Sequence, residues 1–304
     1  WHNLLWLPIW CRFIIMATAK KIVMAAAGSG SGSSFPISNP AIQWMFEAEG
    51  FSGNITANTA TTPTNSYGIS VGDSWISDKN ITRSSWTNSQ GGSTYYLNFD
   101  GDLDFTTNAN SSDGDAMLAN DGFTFWMVNE HHYSNTGWGR LWGYWGLGTG
   151  AADFTGGRNP TSADQYDGPL FFHNSSGSTE YRRPATAGMG NGDASGSLNI
   201  GGKTSGSIQI LIITQYLGND TAYYNYQRHG QSNGTQQQSS SGQYSFSGTG
   251  DRANVKAGAN KARPFFHDSV YHGNTADDIK WVTSGFANRP YDSTERSTLL
   301  SHFR

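Results

Sequence analysis

Three aspartates stand at alternate positions in the stretch Ser93–Asn108, STYYLNFDGDLDFTTN: Asp100, Asp102 and Asp104. On one continuous strand, alternate residues point to the same face. The three carboxylates would then form a row able to hold a metal ion or to cleave a glycosidic bond. Asp100-Gly101 offers another reading, because glycine tolerates positive φ and aspartate hydrogen-bonds its own backbone, which makes Asp-Gly a turn pair. A turn there ends one strand at Phe99 and starts the next at Leu103, and the carboxylates no longer share a face. An EF-hand loop begun at Asp100 would need glycine at its sixth position and glutamate at its twelfth. Those positions hold Phe105 and Ser111. The spacing therefore assigns Asp100 and Gly101 to a structural turn.

The other polar clusters point to weaker chemistry. Glu47 and Glu49 are two apart and could share a strand face, but retaining glycoside hydrolysis needs two carboxyls about 5–5.5 Å apart across a sugar cleft. Nothing flanking them marks a cleft. In Glu130-His131-His132 the two histidines point oppositely on a strand, so at most one joins Glu130, whereas a metal site needs three or four converging ligands. The run IGGKTSG (200–206) nearly reads as a phosphate loop, but the required first glycine falls on Ser197 and no helix follows. Trp138, Arg140, Trp142 and Tyr144 share a face if their strand is regular. Flat rings on such a face could stack on a sugar, or form inter-sheet core or a subunit contact. No catalytic residue, metal site or cofactor is assigned.

The elements that must position these residues are strands. The 304 residues include 38 Gly, 11 Trp, 14 Tyr and 16 Phe, with only 14% charged. Aromatic and β-branched residues favour strands, and Gly, Asn, Ser and Thr favour turns. GFTFWMVNEHH (122–132) is apolar on both faces, as in a central strand, and SIQILIITQYLG (207–218) is too β-branched for a helix. PAIQWMFEAEG, VGDSWISD, TYYLNF, RLWGYWGLG, GPLFFHN, TAYYNYQRHGQ, RPFFHDSVYHG and DDIKWVTSG supply further strands. Such an arrangement implies an all-β sandwich or barrel. One helix is expected, at the end: Asp292 precedes Glu295 by three residues, a capping-box spacing, and Leu299, Leu300 and Phe303 follow at helical intervals.

A net charge of −4 gives no electrostatic case for a nucleic-acid partner or an anionic membrane. The single cysteine, Cys11, excludes an intrachain disulfide and a cysteine-based zinc site. The opening block WHNLLWLPIWCRFII is too short to span a bilayer, and Pro8 interrupts it. Met16, followed by small residues and Lys20-Lys21, reads as a start region. Residues 1–39 are expected to form an N-terminal arm and Gly/Ser linker that packs on a neighbouring subunit through Trp1, Trp6, Trp10 and Phe13. Residues 40–304 form the expected domain.

Two segments together carry a family resemblance. YYLNFDGDLDFTTN followed by DGFTFWMVNE resembles the opening of laminin-G-like, concanavalin A-like jelly rolls, and DIKWVTSGFANRPYDSTERSTLLSHF resembles their closing strand and helix. The resemblance implies a jelly-roll β-sandwich with a short C-terminal helix. Laminarinase-type enzymes of that fold carry a Glu-x-Asp-x-Glu strand, and none of the five glutamates here forms one. The leader MATAKKIVMAAAGSG before a jelly roll is similar to structural proteins of marine tailed bacteriophages. That likeness implies a non-enzymatic virion protein (a capsid decoration, head fibre or tail accessory) whose partners are copies of itself and other virion proteins. The alternative is an extracellular lectin or inactive glycanase-like module with a cell-surface glycan as partner.

Overall fold

The computed structural model describes residues 34–67, 74–87, 93–99, 103–107, 122–132, 139–145, 170–173, 178–182, 198–202, 207–216, 221–230, 236–245, 263–268 and 278–303. These form an all-β sandwich of two antiparallel sheets and one C-terminal helix. The eight-stranded sheet runs β13 (Gln236–Ser245), β12 (Thr221–Gly230), β11 (Ser207–Tyr216), β6 (Gly122–His132), β15 (Asp278–Ala287), β4 (Ser93–Phe99) and β3 (Thr82–Thr87). In it β1 (Ile42–Glu47) also pairs with β15. The seven-stranded sheet runs β10 (Leu198–Gly202), β9 (Ser178–Arg182), β8 (Leu170–His173), β7 (Gly139–Trp145), β14 (Arg263–Asp268), β5 (Leu103–Thr107) and β2 (Trp75–Ser77).

Aromatic packing joins the two sheets. Trp75 of β2 stacks on Phe105 of β5 at 4.8 Å between centroids, and its edge meets Phe46 of β1 at 5.1 Å and Trp44 at 5.8 Å. All four side chains are fully buried, and each such burial contributes about 1.5–3 kcal/mol. The Phe-Asp-Gly segment links the sheets, since β4 ends at Phe99 in the larger sheet and β5 begins at Leu103 in the smaller one. A single strand through Asp100, Asp102 and Asp104 is thereby excluded. Asp100 and Gly101 themselves lie outside the described residues.

The double-sided hydrophobicity of β6 and β11 has a direct structural reason. Phe123, Phe125 and Met127, with Leu211 and Ile213, enter the inter-sheet core. Trp126, Val128, Ile208, Ile210 and Ile212 project from the opposite face into a second apolar cluster. Helix α1 (Ser293–His302) and residues 34–39 cover that face, contributing Leu299, Leu300, Phe303, Phe35 and Ile37. Phe35 packs on Trp126 at 5.6 Å and on Tyr67 at 5.1 Å. Phe35 and Ile37, inside the segment expected to be an arm, are thus buried on their own sandwich. Trp1, Trp6, Trp10 and Phe13 lie outside the described residues.

Helix α1 starts as its sequence requires. The Asp292 carboxylate accepts the Glu295 backbone N–H at 2.8 Å, and Glu295 accepts the Asp292 N–H at 3.0 Å. Glu295 also accepts two hydrogen bonds from the Arg289 guanidinium, which holds its carboxyl below the usual carboxylate range. Four further strands, β3, β9, β10 and β13, have no counterpart in the hydrophobic pattern, β13 being Gln- and Ser-rich throughout.

Two stability outcomes follow from the second layer. Asp292→Ala removes the cap and should cost about 1 kcal/mol in chemical denaturation. Gly285→Ala should cost about 3 kcal/mol, because a Cβ there would lie 2.1 Å from Cζ2 of the fully buried Trp126. A change under about 0.5 kcal/mol in either variant contradicts the packing described. The Glu295 carboxylate is favoured in the fold, so its contribution is present above the ordinary carboxylate range and is lost as pH falls through the lowered value.

Candidate functional site

Among the carboxylates picked out by sequence, the side chains of Glu47, Glu49 and Glu130 are described. Glu47 closes β1, and Glu49 sits in the following 3-10 turn (Ala48–Gly50), so the two do not share a strand face. Glu47 accepts the Ser66 backbone N–H at 2.7 Å and its hydroxyl at 3.0 Å. Burial pushes the Glu47 carboxyl up, and the Ser66 hydrogen bonds oppose that shift. Burial also pushes Glu49 up, opposed by the Arg83 guanidinium. Arg83 donates to the carbonyls of Ala48 and Glu49 and lies 3.5 Å over the Tyr95 ring. Glu130 is fully buried on the outer face of the larger sheet and pairs with Lys280 at 3.3 Å.

Beside Glu47, a short polar chain ties the helix to the sandwich. The Tyr67 hydroxyl meets Nε2 of His302 at 2.5 Å. Burial holds the His302 imidazole below its usual value and raises the Tyr67 phenol. The folded state therefore prefers neutral His302, and stability declines as pH falls through the ordinary histidine range.

The other sequence candidates fall differently. The side chains of His131 and His132 lie outside the described part of β6, and Trp138 lies outside the described residues. Arg140, Trp142 and Tyr144 are placed on β7, but the pairing of β7 with β8 shifts register between Arg140 and Trp142. The side chains of β7 lie outside the described part of the strand. No group of three or more His, Cys, Asp or Glu able to hold a metal ion occurs among the described residues. No helix among them is long and apolar enough to cross a membrane.

A polar and aromatic row that sequence reading missed lies on the inner face of β6, β11, β12 and β13. One row runs in register across four strands: Asn129, Gln209, Arg228 and Gln238. Tyr226 faces the same side one step along β12, opposite Ser240 of β13. Exposure grows toward the sheet edge: Asn129 is 0% and Gln209 3% exposed, whereas Arg228 and Gln238 are half-buried. Both amide atoms of Asn129, Nε2 of Gln209 and the Tyr226 hydroxyl have no hydrogen-bond partner. Each orphaned buried group costs about 1–3 kcal/mol, so a row of them departs from the rule that buried polar groups are paired. Burial pushes the Tyr226 phenol up to about 12, partly offset by the nearby Arg228 charge.

The local sequence explains why the row forms. TAYYNYQRHG alternates, so Tyr224, Tyr226 and Arg228 fall on the inner face and Tyr223, Asn225 and Gln227 on the outer. On β13, Gly242 stands opposite Tyr224, and a Cβ there would lie 2.7 Å from the ring's Cε1. The missing side chain lets the Tyr224 ring lie across the edge strand. The readable signal was the spacing Gln238, Ser240, Gly242, Tyr244 facing that tyrosine ladder.

No family model matches this chain, and no curated protein matches it. Among solved structures it is similar to the sialidase of Trypanosoma rangeli in complex with 2,3-difluorosialic acid, at 12% identity and TM-score 0.42, over 83% of this chain and 32% of that one. It is also similar to the binding domain of botulinum neurotoxin serotype D/C, at 9% identity and TM-score 0.45, over 84% of this chain and 53% of that one. The chain spans about a third of the sialidase and about half of the neurotoxin chain.

Tyr67→Phe should lower stability by about 1 kcal/mol at neutral pH, since His302 then loses its buried partner. His302→Gln should flatten the acid limb of a stability–pH curve near pH 6. An unchanged acid limb in that variant contradicts the role of His302.

Proposed function

We propose that this chain is a non-enzymatic structural protein of a virion, a jelly-roll sandwich that assembles through the segment preceding Phe35. The observation that carries the non-enzymatic part is the state of the glutamates. Glu47 is engaged by Ser66, Glu130 by Lys280, and Glu295 by Arg289 and the helix cap. Glutamates committed in this way are not set opposite one another across a cleft, as glycoside hydrolysis requires. The virion setting rests on the likeness of the leader and the jelly roll to phage structural proteins, and copies of the chain and other virion proteins are its partners.

A second reading, an extracellular carbohydrate-binding module, is favoured by the inner-face row. That face of β6, β11, β12 and β13 presents amides, tyrosines and one arginine, and no carboxylate among the described side chains. It has the composition of a binding surface without the residues of a hydrolase.

Incubation with laminarin, agar or carrageenan should release no reducing sugar. Release that disappears in Glu47→Gln or Glu49→Gln overturns the non-enzymatic reading. A chain starting at Phe35 keeps every described apolar contact and should show a normal β-type spectrum, whereas only the full chain should form a symmetric assembly in electron micrographs. Assembly of that truncated chain into the same particle contradicts the role given to the preceding segment.

A further inference from the structure

We propose that the inner-face row formed by Asn129, Gln209 and Tyr226, with Tyr224 beside it, is a binding site for a neutral saccharide, approached from the β13 edge of the sandwich. The inference rests on the carbohydrate-binding reading and is independent of the virion setting.

Four atoms carry it: Nδ2 and Oδ1 of Asn129, Nε2 of Gln209 and the hydroxyl of Tyr226, all buried and all without a partner. Asn129 and Gln209 are directly opposed in the β6–β11 ladder, and Tyr226 lies one row along on β12. Together they present donors and acceptors on one face, and unsatisfied groups of this kind are energetically poised to accept a ligand's hydrogen bonds. The row leads outward through half-buried Arg228 and Gln238 to the edge strand.

The chemistry of the site selects the ligand class. With no carboxylate on this face among the described side chains, a bare cation finds no counter-charge. An apolar molecule would leave the amides unpaired. A molecule bearing several hydroxyls both donates and accepts at each, which matches neutral amides and a phenol. The Tyr224 ring, laid across Gly242, supplies a flat apolar surface beside them, and aromatic rings pack against the C–H face of a sugar. Half-buried Tyr244 extends that aromatic surface along β13.

The test uses the full chain and three neutral probes: lactose, laminaritriose and N,N′-diacetylchitobiose. Isothermal titration should detect binding of at least one, with a matching rise in Tm. Asn129→Leu and Gln209→Leu should each weaken that binding by about tenfold or more. Both variants should keep or raise the Tm of the free protein, because an apolar isostere removes an unpaired buried amide. Gly242→Ala should weaken binding as well, by displacing the Tyr224 ring.

If no probe binds, the site and the carbohydrate-binding reading both fall. If a probe binds with the same affinity to wild type and both leucine variants, the reading stands and this site is wrong. A clear loss of Tm in both leucine variants also overturns the site, since the amides would then have partners, such as ordered waters, that hold the fold.

Discussion

Burial of the large sheet on both faces is the constraint on which the rest of this structure depends. The sides of β6 and β11 are apolar in both directions, so the sheet has to be covered twice. The seven-stranded sheet covers one side, with Trp75 and Phe105 against Trp44 and Phe46. The other is closed by α1 and the segment that carries Phe35 and Ile37. Neither cover would be stable alone: a helix of ten residues is marginal in water, and a six-residue segment has no structure of its own. They are held because Trp126 and the isoleucines of β11 would otherwise face solvent.

That double cover places a demand on every polar group within it. Around the bulge between Trp281 and Thr283, hydroxyls satisfy strand carbonyls: Thr283 donates to Phe46 O and Ser284 to Trp126 O, both at 2.8 Å. At the helix entry, Thr124 donates to Arg289 O and accepts from the Tyr291 N–H, while the Tyr291 hydroxyl donates to Pro40 O at 2.6 Å. Three distant parts of the chain are joined at this one corner. Arg296 continues the pattern, donating to Tyr291 O and to Asn225 of β12.

The inner-face row stands out against this economy. Asn129, Gln209 and Tyr226 place buried polar atoms without partners on that face, and Trp126 Nε1 is a further such atom elsewhere in the sandwich. A leucine at either amide position would have fitted the aliphatic neighbours Met127 and Leu211.

Much of the fold was legible because it depends on local chemistry. The alternation of β12, the two-sided apolarity of β6 and β11 and the spacing of Asp292, Glu295, Leu299 and Leu300 each act within one element, so the order of residues determines them. The separation of β4, ending at Phe99, from β5, beginning at Leu103, was legible for the same reason. What tertiary structure alone decided was the use of each face. Nothing in QQQSSSGQYS identifies a strand, because its pairing comes from β12 and not from its own hydrophobicity. Nothing local distinguishes Asn129 from a surface amide, since its burial is set by strands remote in sequence. Phe35 and Ile37 read as part of a linker until Trp126 gives them a surface to cover. Periodicity is a property of neighbours along the chain, whereas burial and the pairing of polar groups are properties of neighbours in space.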